Sequence, residues 1–291
     1  MLSELRKLLN EQKYCVLNKG NIVEANFEIN SFVFEKDADF ILFNQVEDES
    51  ILNIEVKNAA QVRIVELCEF KENSTLHKTI QCSERGELNI VTLETGSSNA
   101  WVNVKTTLDE ESYINNKKIC LFSSEVVEDE KVYLNGVNSN YYTLNVYVNS
   151  SNQKQNIDTT IYHTATDTKS ELYNYGICKG TSVLNINTNG VVEKGAVRSD
   201  LKQKSKGVLI DLESSISANP LLQIDEYDCL ASHGAGIGAI DEEDLYYLMS
   251  RGLSRSESGR LIIAGFIDPV IESFPEGNIK NYIIEKINEY I

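Results

Sequence analysis

From about residue 20 to residue 227 the chain is a succession of short runs in which apolar and polar residues alternate, and no proline falls before Pro220. NFEINSFVFE, DFILFNQV, ILNIEVKN, QVRIVEL, ELNIVTLE, AWVNVKTT, YTLNVYVN, IDTTIYH and SVLNINT are rich in Val, Ile, Thr, Tyr and Phe and are separated by Asn, Gly, Ser or acidic residues. Successive side chains of a strand point to opposite faces, so a period of two marks strands with one face in a core. Proline cannot donate to a strand ladder, and its absence leaves these ladders uninterrupted. Many short strands joined by polar turns make a sandwich, a propeller or a solenoid of stacked coils. No motif recurs at a fixed period, which disfavours a propeller with signature blades. Periodicity does not choose between a sandwich and a β-helix.

The flanks read differently. Leu2, Leu5, Leu8 and Leu9 have the spacing of a one-sided helix, giving an N-terminal helical segment at 1–19. Toward the other end, Asp241 is placed to cap a helix carrying Leu245, Leu248 and Met249, with Gly252 as its stop. Ser254 and Glu257 form a Ser-x-x-Glu capping box ahead of the apolar run Leu261 to Phe266. Asp268-Pro269 reads as the cap and first-turn proline of a further short helix. A last helix puts Ile279, Tyr282, Ile283, Ile287 and Tyr290 on one face. The expected organisation is a β core at 20–227 and a C-terminal segment at 228–291 ending in a small helical domain.

Lys+Arg 27 against Asp+Glu 44 gives a formal charge of −17, which repels phosphate backbones and argues against nucleic-acid binding. Lys202, Lys204 and Lys206 alternate as a solvated strand face would. No stretch approaches the roughly 18 apolar residues of a membrane span, and the N-terminus lacks the apolar core of a signal peptide, so a cytoplasmic chain is expected. The six cysteines contain no CxxC pair and read as reduced thiols. With only His77, His163 and His233, no closely spaced zinc or haem ligands are encoded.

His233 is the first candidate metal ligand, because a neutral imidazole ligates iron near neutral pH. Its bland counterpart is a hydrogen-bonded histidine in a turn, with Gly234, Gly236 and Gly238 marking tight backbone. GAGIG is no phosphate loop: it lacks Lys-Ser/Thr and runs into Asp241, Glu242, Glu243 and Asp244. Cys229 is a second, weaker thiolate candidate, while Cys178 and His163 read as buried core residues. Tyr246, Tyr247, Leu248, Arg251 and Phe266 offer aromatic and Arg anchors for a docking face, part of which must pack on the β body.

The segment SHGAGIGAIDEEDLYYLMSRGLS (Ser232–Ser254), continued by SESGRLIIAGF, resembles the C-terminal motif of the SufB/SufD family. NTNGVVEKGAVRSDLKQKSKGVLID (Asn187–Asp211) and IYHTATDTKSELYNYGICKGTSVLNI (Ile161–Ile186) resemble the family's preceding stretches, in the same order. The resemblance implies a right-handed β-helix core with a C-terminal helical domain, and a non-enzymatic scaffold subunit for iron–sulfur cluster assembly. It further implies a SufB-like partner, a SufC-like ATPase docked on the helical domain, and a transient iron–sulfur cluster at the subunit interface near His233. SufB-type chains place Glu after this histidine and Cys before the strand resembling GVLID; here stand Gly234 and Lys204-Ser205, so the resemblance is to SufD. Many SufD chains carry Cys two residues before the histidine, where this chain has Ala231, with Cys229 four before. Two alternatives remain: a SufB-like homodimeric scaffold, and a β-helix carbohydrate-acting enzyme. The latter calls for carboxylates clustered on one strand face and a secretion signal, neither of which the sequence offers.

Overall fold

The computed structural model describes residues 12–27, 31–57 and 59–290. The chain winds first through β1 (Tyr14–Asn18), β2 (Asn21–Ala25), β3 (Val33–Phe34), β4 (Ala38–Val46), β5 (Glu49–Val56) and β6 (Gln61–Phe70). It continues through β7 (Ser74–Cys82), β8 (Glu87–Gly96), β9 (Ala100–Leu108), β10 (Tyr113–Phe122), β11 (Val126–Leu134) and β12 (Asn140–Asn149). The last coils are β13 (Lys154–His163), β14 (Lys169–Cys178), β15 (Val183–Val192), β16 (Asp200–Leu209), β17 (Ser215–Ile224) and β18 (Leu230–Ala239). Even-numbered strands from β4 to β18 stack in parallel in a ten-stranded sheet that β1 and β2 complete, and odd-numbered strands from β3 to β17 stack in an eight-stranded one. From β3 onward each coil gives one strand to each sheet. This is a β-solenoid, which settles the choice that periodicity left open.

Register shows why no repeat is legible. One inward column runs Ala38, Val62, Leu88, Ile114, Tyr141, Ser170, Leu201, Ala231, and the sequence separation between neighbours lengthens toward the C-terminus. Coil length drifts while the stacking is kept. One corner is built on left-handed backbone at Arg85, Glu111, Asn138, Asp167 and Arg198, none of them glycine. Such a conformation costs about 1–2 kcal/mol per residue. Each of the five N–H groups donates to a carbonyl in the next coil's turn (Glu110, Val137, Thr166, Val197 and Asp228), so the stack supplies an offset that no single turn sequence contains.

The ten-stranded sheet is apolar on both faces over part of its length. Ile41, Phe43, Val65, Leu67, Val91, Ile119, Leu121 and Val146 point outward and are nonetheless buried. They are covered by α2 (Arg255–Ile271) and α3 (Asn278–Tyr290), which follow α1 (Glu242–Ser250). Doubly buried strands read as near-continuous apolar runs, which is why FILF and IVTL stand out in the sequence. Burying each Ile or Val of α2 and α3 contributes on the order of 1.5–3 kcal/mol. The helical part is therefore continuous with the β body.

Several expectations change. Of the N-terminal segment 1–19, residues 1–11 lie outside the described residues, and Tyr14–Asn18 forms a strand whose Cys15, Val16 and Leu17 are all buried. The β body runs on to Ala239, past the expected boundary at 227. Pro269 does not open a new helix but lies inside α2. Ile263, Ile267, Val270 and Ile271 form one buried stripe across it, and that packing outweighs the roughly 3 kcal/mol an interior proline costs. The caps match expectation: Asp241 accepts from the Glu243 N–H, Ser254 and Glu257 form both arms of the capping box, and Gly252 has φ +98°. Among the described residues, no helix is long and apolar enough to cross a membrane.

Candidate functional site

His233 lies on β18, the outermost strand of the ten-stranded sheet, which is paired on one side only, with β16. β17 holds the same position in the other sheet, so both edges open at one end of the solenoid. All ten residues of β18 are exposed. Gly234, Gly236 and Gly238 are not tight-turn residues: they are in extended strand, where an added Cβ would meet open space. They alternate with the inward column, so that Gln203 faces His233, and Lys204 and Lys206 stand beside Gly234 and Gly236. Gln203 is buried, and its Nε2 has no partner; its Oε1 accepts from Thr188 at 2.9 Å. His233 thus continues an interior column onto an uncapped end face.

Cys229 has a different setting. Its thiol donates to the Glu226 carbonyl at 3.2 Å, and it packs against the small cluster of Val192, Ala196 and Leu201. Partial burial, then Glu226 and Asp228, push its pKa up, away from thiolate. Neither His233 nor Cys229 belongs to a cluster of three ligating side chains among the described residues. The chain alone presents one imidazole at the end face. His163 is buried and satisfied: Nδ1 is 2.7 Å from Thr168 Oγ1 and Nε2 is 2.7 Å from Ser170 Oγ. Burial lowers its pKa to about 4, with Asp200 opposing.

A second constellation, in the solenoid interior, was not foreseen from the sequence. One inward column runs Glu66, Thr92, Lys118, Asn145, Asn174, Ser205, and the next runs Cys68, Glu94, Cys120, Tyr147. Lys78 and Lys118 are buried, and bind Glu66 and Glu128 respectively at 2.5 Å. Asn44 and Thr92 also donate to Glu66, and Tyr141 donates to Glu130 at 2.8 Å. Burial alone would lower both ammonium pKa values, but Glu66 raises that of Lys78, and Glu128 and Glu94 hold Lys118 well above the usual range. Burial likewise raises Glu94 and Glu130, against the pull of Lys118. In YINNKKICLF, Lys118 breaks the apolar–polar alternation, but a lysine in a strand reads as solvent-facing until the partner coil is known.

Residues 25–266 match the family model described as the SUF system FeS cluster assembly SufBD core domain. The chain belongs to the SufBD family. The chain is 33% identical over 149 residues, 51% of its length, to the iron–sulfur cluster assembly protein SufD of Bacillus subtilis, covering 34% of that protein. It is 29% identical over 111 residues, 38% of its length, to SufD of Escherichia coli, covering 26% of that protein. A Mycobacterium leprae iron–sulfur cluster assembly SufBD family protein is 25% identical over 216 residues, 73% of this chain and 23% of that protein. The chain spans about a third or less of the length of these curated relatives.

In this SufBD chain the helical residues singled out from the sequence divide into two groups. Phe266 packs inward, with its ring 5.5 Å from that of Tyr175 and Lys206 Nζ 6.0 Å from its centroid. Tyr246 and Tyr247 are 75% and 57% exposed, and Arg251 lies 5.3 Å over the Tyr247 ring. Leu248 is half-buried. Only Leu245 of α1 is buried, and Arg255 ties α1 to α2 by gripping Glu242 with both terminal nitrogens.

Proposed function

We propose that this chain is a SufD-type, non-enzymatic scaffold subunit of the SUF assembly machinery. In this reading it joins a SufB-like subunit through the open end of the solenoid and offers His233 there to an iron–sulfur cluster under construction. It also receives a SufC-like ATPase on the exposed α1 surface around Tyr246, Tyr247 and Arg251. The cluster is cargo, passed on once built. The observation that carries the proposal is the place of His233: on a one-sided edge strand, at the end where both sheets stop. Unpaired edges are templates for pairing with another chain, and a lone imidazole needs further ligands from across such a joint. The six free thiols suit a reducing, cytoplasmic setting. Gly234 in place of a carboxylate, and Cys229 turned toward Glu226, leave the partner to supply the remaining ligands.

The test is co-purification with a SufB-like subunit and a SufC-like ATPase, followed by anaerobic cluster reconstitution. His233→Ala is expected to assemble the complex and lose most of the cluster yield; equal yield would refute the ligand role. The Tyr246→Ala, Tyr247→Ala double variant is expected to lose the ATPase while keeping the SufB-like subunit. Retention of the ATPase would refute the docking surface. Point variants are preferred to deleting the helices, because α2 and α3 cover a buried apolar sheet face.

A further inference from the structure

Glu94, Cys120 and Glu128 come together inside the solenoid, on β8, β10 and β11, with one ligand atom from each within 4.8 Å of the others. We propose that these three side chains form an internal site for a divalent first-row transition metal of the zinc or ferrous-iron class. Two orphaned atoms in the same place support it. Glu128 is 1% exposed; its Oε1 is taken by Lys118, but its Oε2 has no hydrogen-bond partner. Tyr147 is 0% exposed, stands beside Cys120 in register, and has Lys118 Nζ 5.8 Å over its ring, and its hydroxyl is also unpartnered. A buried acceptor left without a donor costs about 1–3 kcal/mol, more when charged. A cation bound to Glu128 Oε2 removes that cost.

Charge points the same way. Among the described residues the interior holds four buried carboxyl groups, Glu66, Glu94, Glu128 and Glu130, against two buried ammonium groups, Lys78 and Lys118. With ionised carboxylates and the Cys120 thiolate that ligation creates, three negative charges are left over, and one divalent cation offsets two of them. Lys118 Nζ is 3.9 Å from Glu94 Oε2 and bonds Glu128 through Oε1 only, so it neutralises one side of the group while Glu128 Oε2 stays free. Two carboxylate oxygens and one sulfur suit zinc or ferrous iron; magnesium and calcium take all-oxygen sets. At present the Cys120 thiol donates to Glu94 Oε2 at 3.2 Å. On binding, the S–H bond breaks, an Sγ–metal bond forms and the proton leaves to solvent. The site is closed to solvent, so loading accompanies folding. It is distinct from His233 and depends neither on a partner nor on the assembly role.

The test uses the full chain in a Cys229→Ser background, which removes the one thiol that is not fully buried. Protein is refolded anaerobically with cobalt(II) as the probe, desalted through a chelator, and examined by metal analysis and absorption spectroscopy. The expected result is one cobalt per chain with a thiolate-to-cobalt charge-transfer band. Cys120→Ser is expected to lose the band, Glu128→Gln to weaken retention at least tenfold, and Cys178→Ser to change neither. Circular dichroism reports whether each variant folds; if Cys120→Ser does not, the wild-type band and Glu128→Gln decide. Absence of retained cobalt, a retained ion without the band, or a band that survives in folded Cys120→Ser overturns the site.

Discussion

His163 is held as a neutral imidazole, and this makes a measurable pH signature. Its two ring nitrogens meet Thr168 and Ser170, and Thr168 Oγ1 is in turn 2.7 Å from Ser199 Oγ and bonds the Ala165 carbonyl. Burial lowers its pKa from 6.5 to about 4. The folded state therefore binds the proton less readily than the unfolded chain. The stability this contributes is present above pH 6.5 and is lost as pH falls through 4. At about 1.36 kcal/mol per pKa unit, the loss between pH 7 and pH 4 is about 2–3 kcal/mol. Glu94 and Glu130 act in the opposite sense, since raised carboxyl pKa values favour the folded state at low pH, but they are common to wild type and variant. The assay is urea unfolding of wild type and His163→Gln at several pH values between 4 and 7. The wild-type minus variant difference should shrink by about 2–3 kcal/mol as the pH falls. A difference that is flat with pH would refute the neutral buried imidazole.

Two further outcomes follow from the interior. Lys118→Met strands the Glu128 and Glu94 carboxylates and should cost about 3–5 kcal/mol in urea unfolding at neutral pH. Adding Glu128→Gln should return part of that loss, whereas simple additivity would refute the coupling. Gly96 lies between Phe70 and Phe122 in one column, and an added Cβ would stand 2.8 Å from the Phe122 ring. Gly96→Val should therefore destabilise by about 1–3 kcal/mol through overpacking, read as a lowered Tm; an unchanged Tm would refute the fit.

The alternating runs, the absence of early proline and the capping signals at Asp241 and Ser254 made the β body and its helical end legible, because each is a property of neighbouring residues. The motif around His233 was equally local and carried the family. What the sequence by itself could not yield was anything fixed by stacking between coils. Left-handed residues such as Arg85 and Asp167 are stabilised by carbonyls from the next coil, and the lengthening of the coils hides the repeat. Gly234, Gly236 and Gly238 read as a turn in isolation, yet pairing with β16 makes them an edge strand. Nothing in the local sequence marks Lys118 and Glu128 as buried, because the partner that lets a charge be buried lies on another coil. Local sequence determines which segments extend or coil and where they stop. Which face of each strand is interior, and which charges meet there, depends on contacts between coils, and only the tertiary structure decided those.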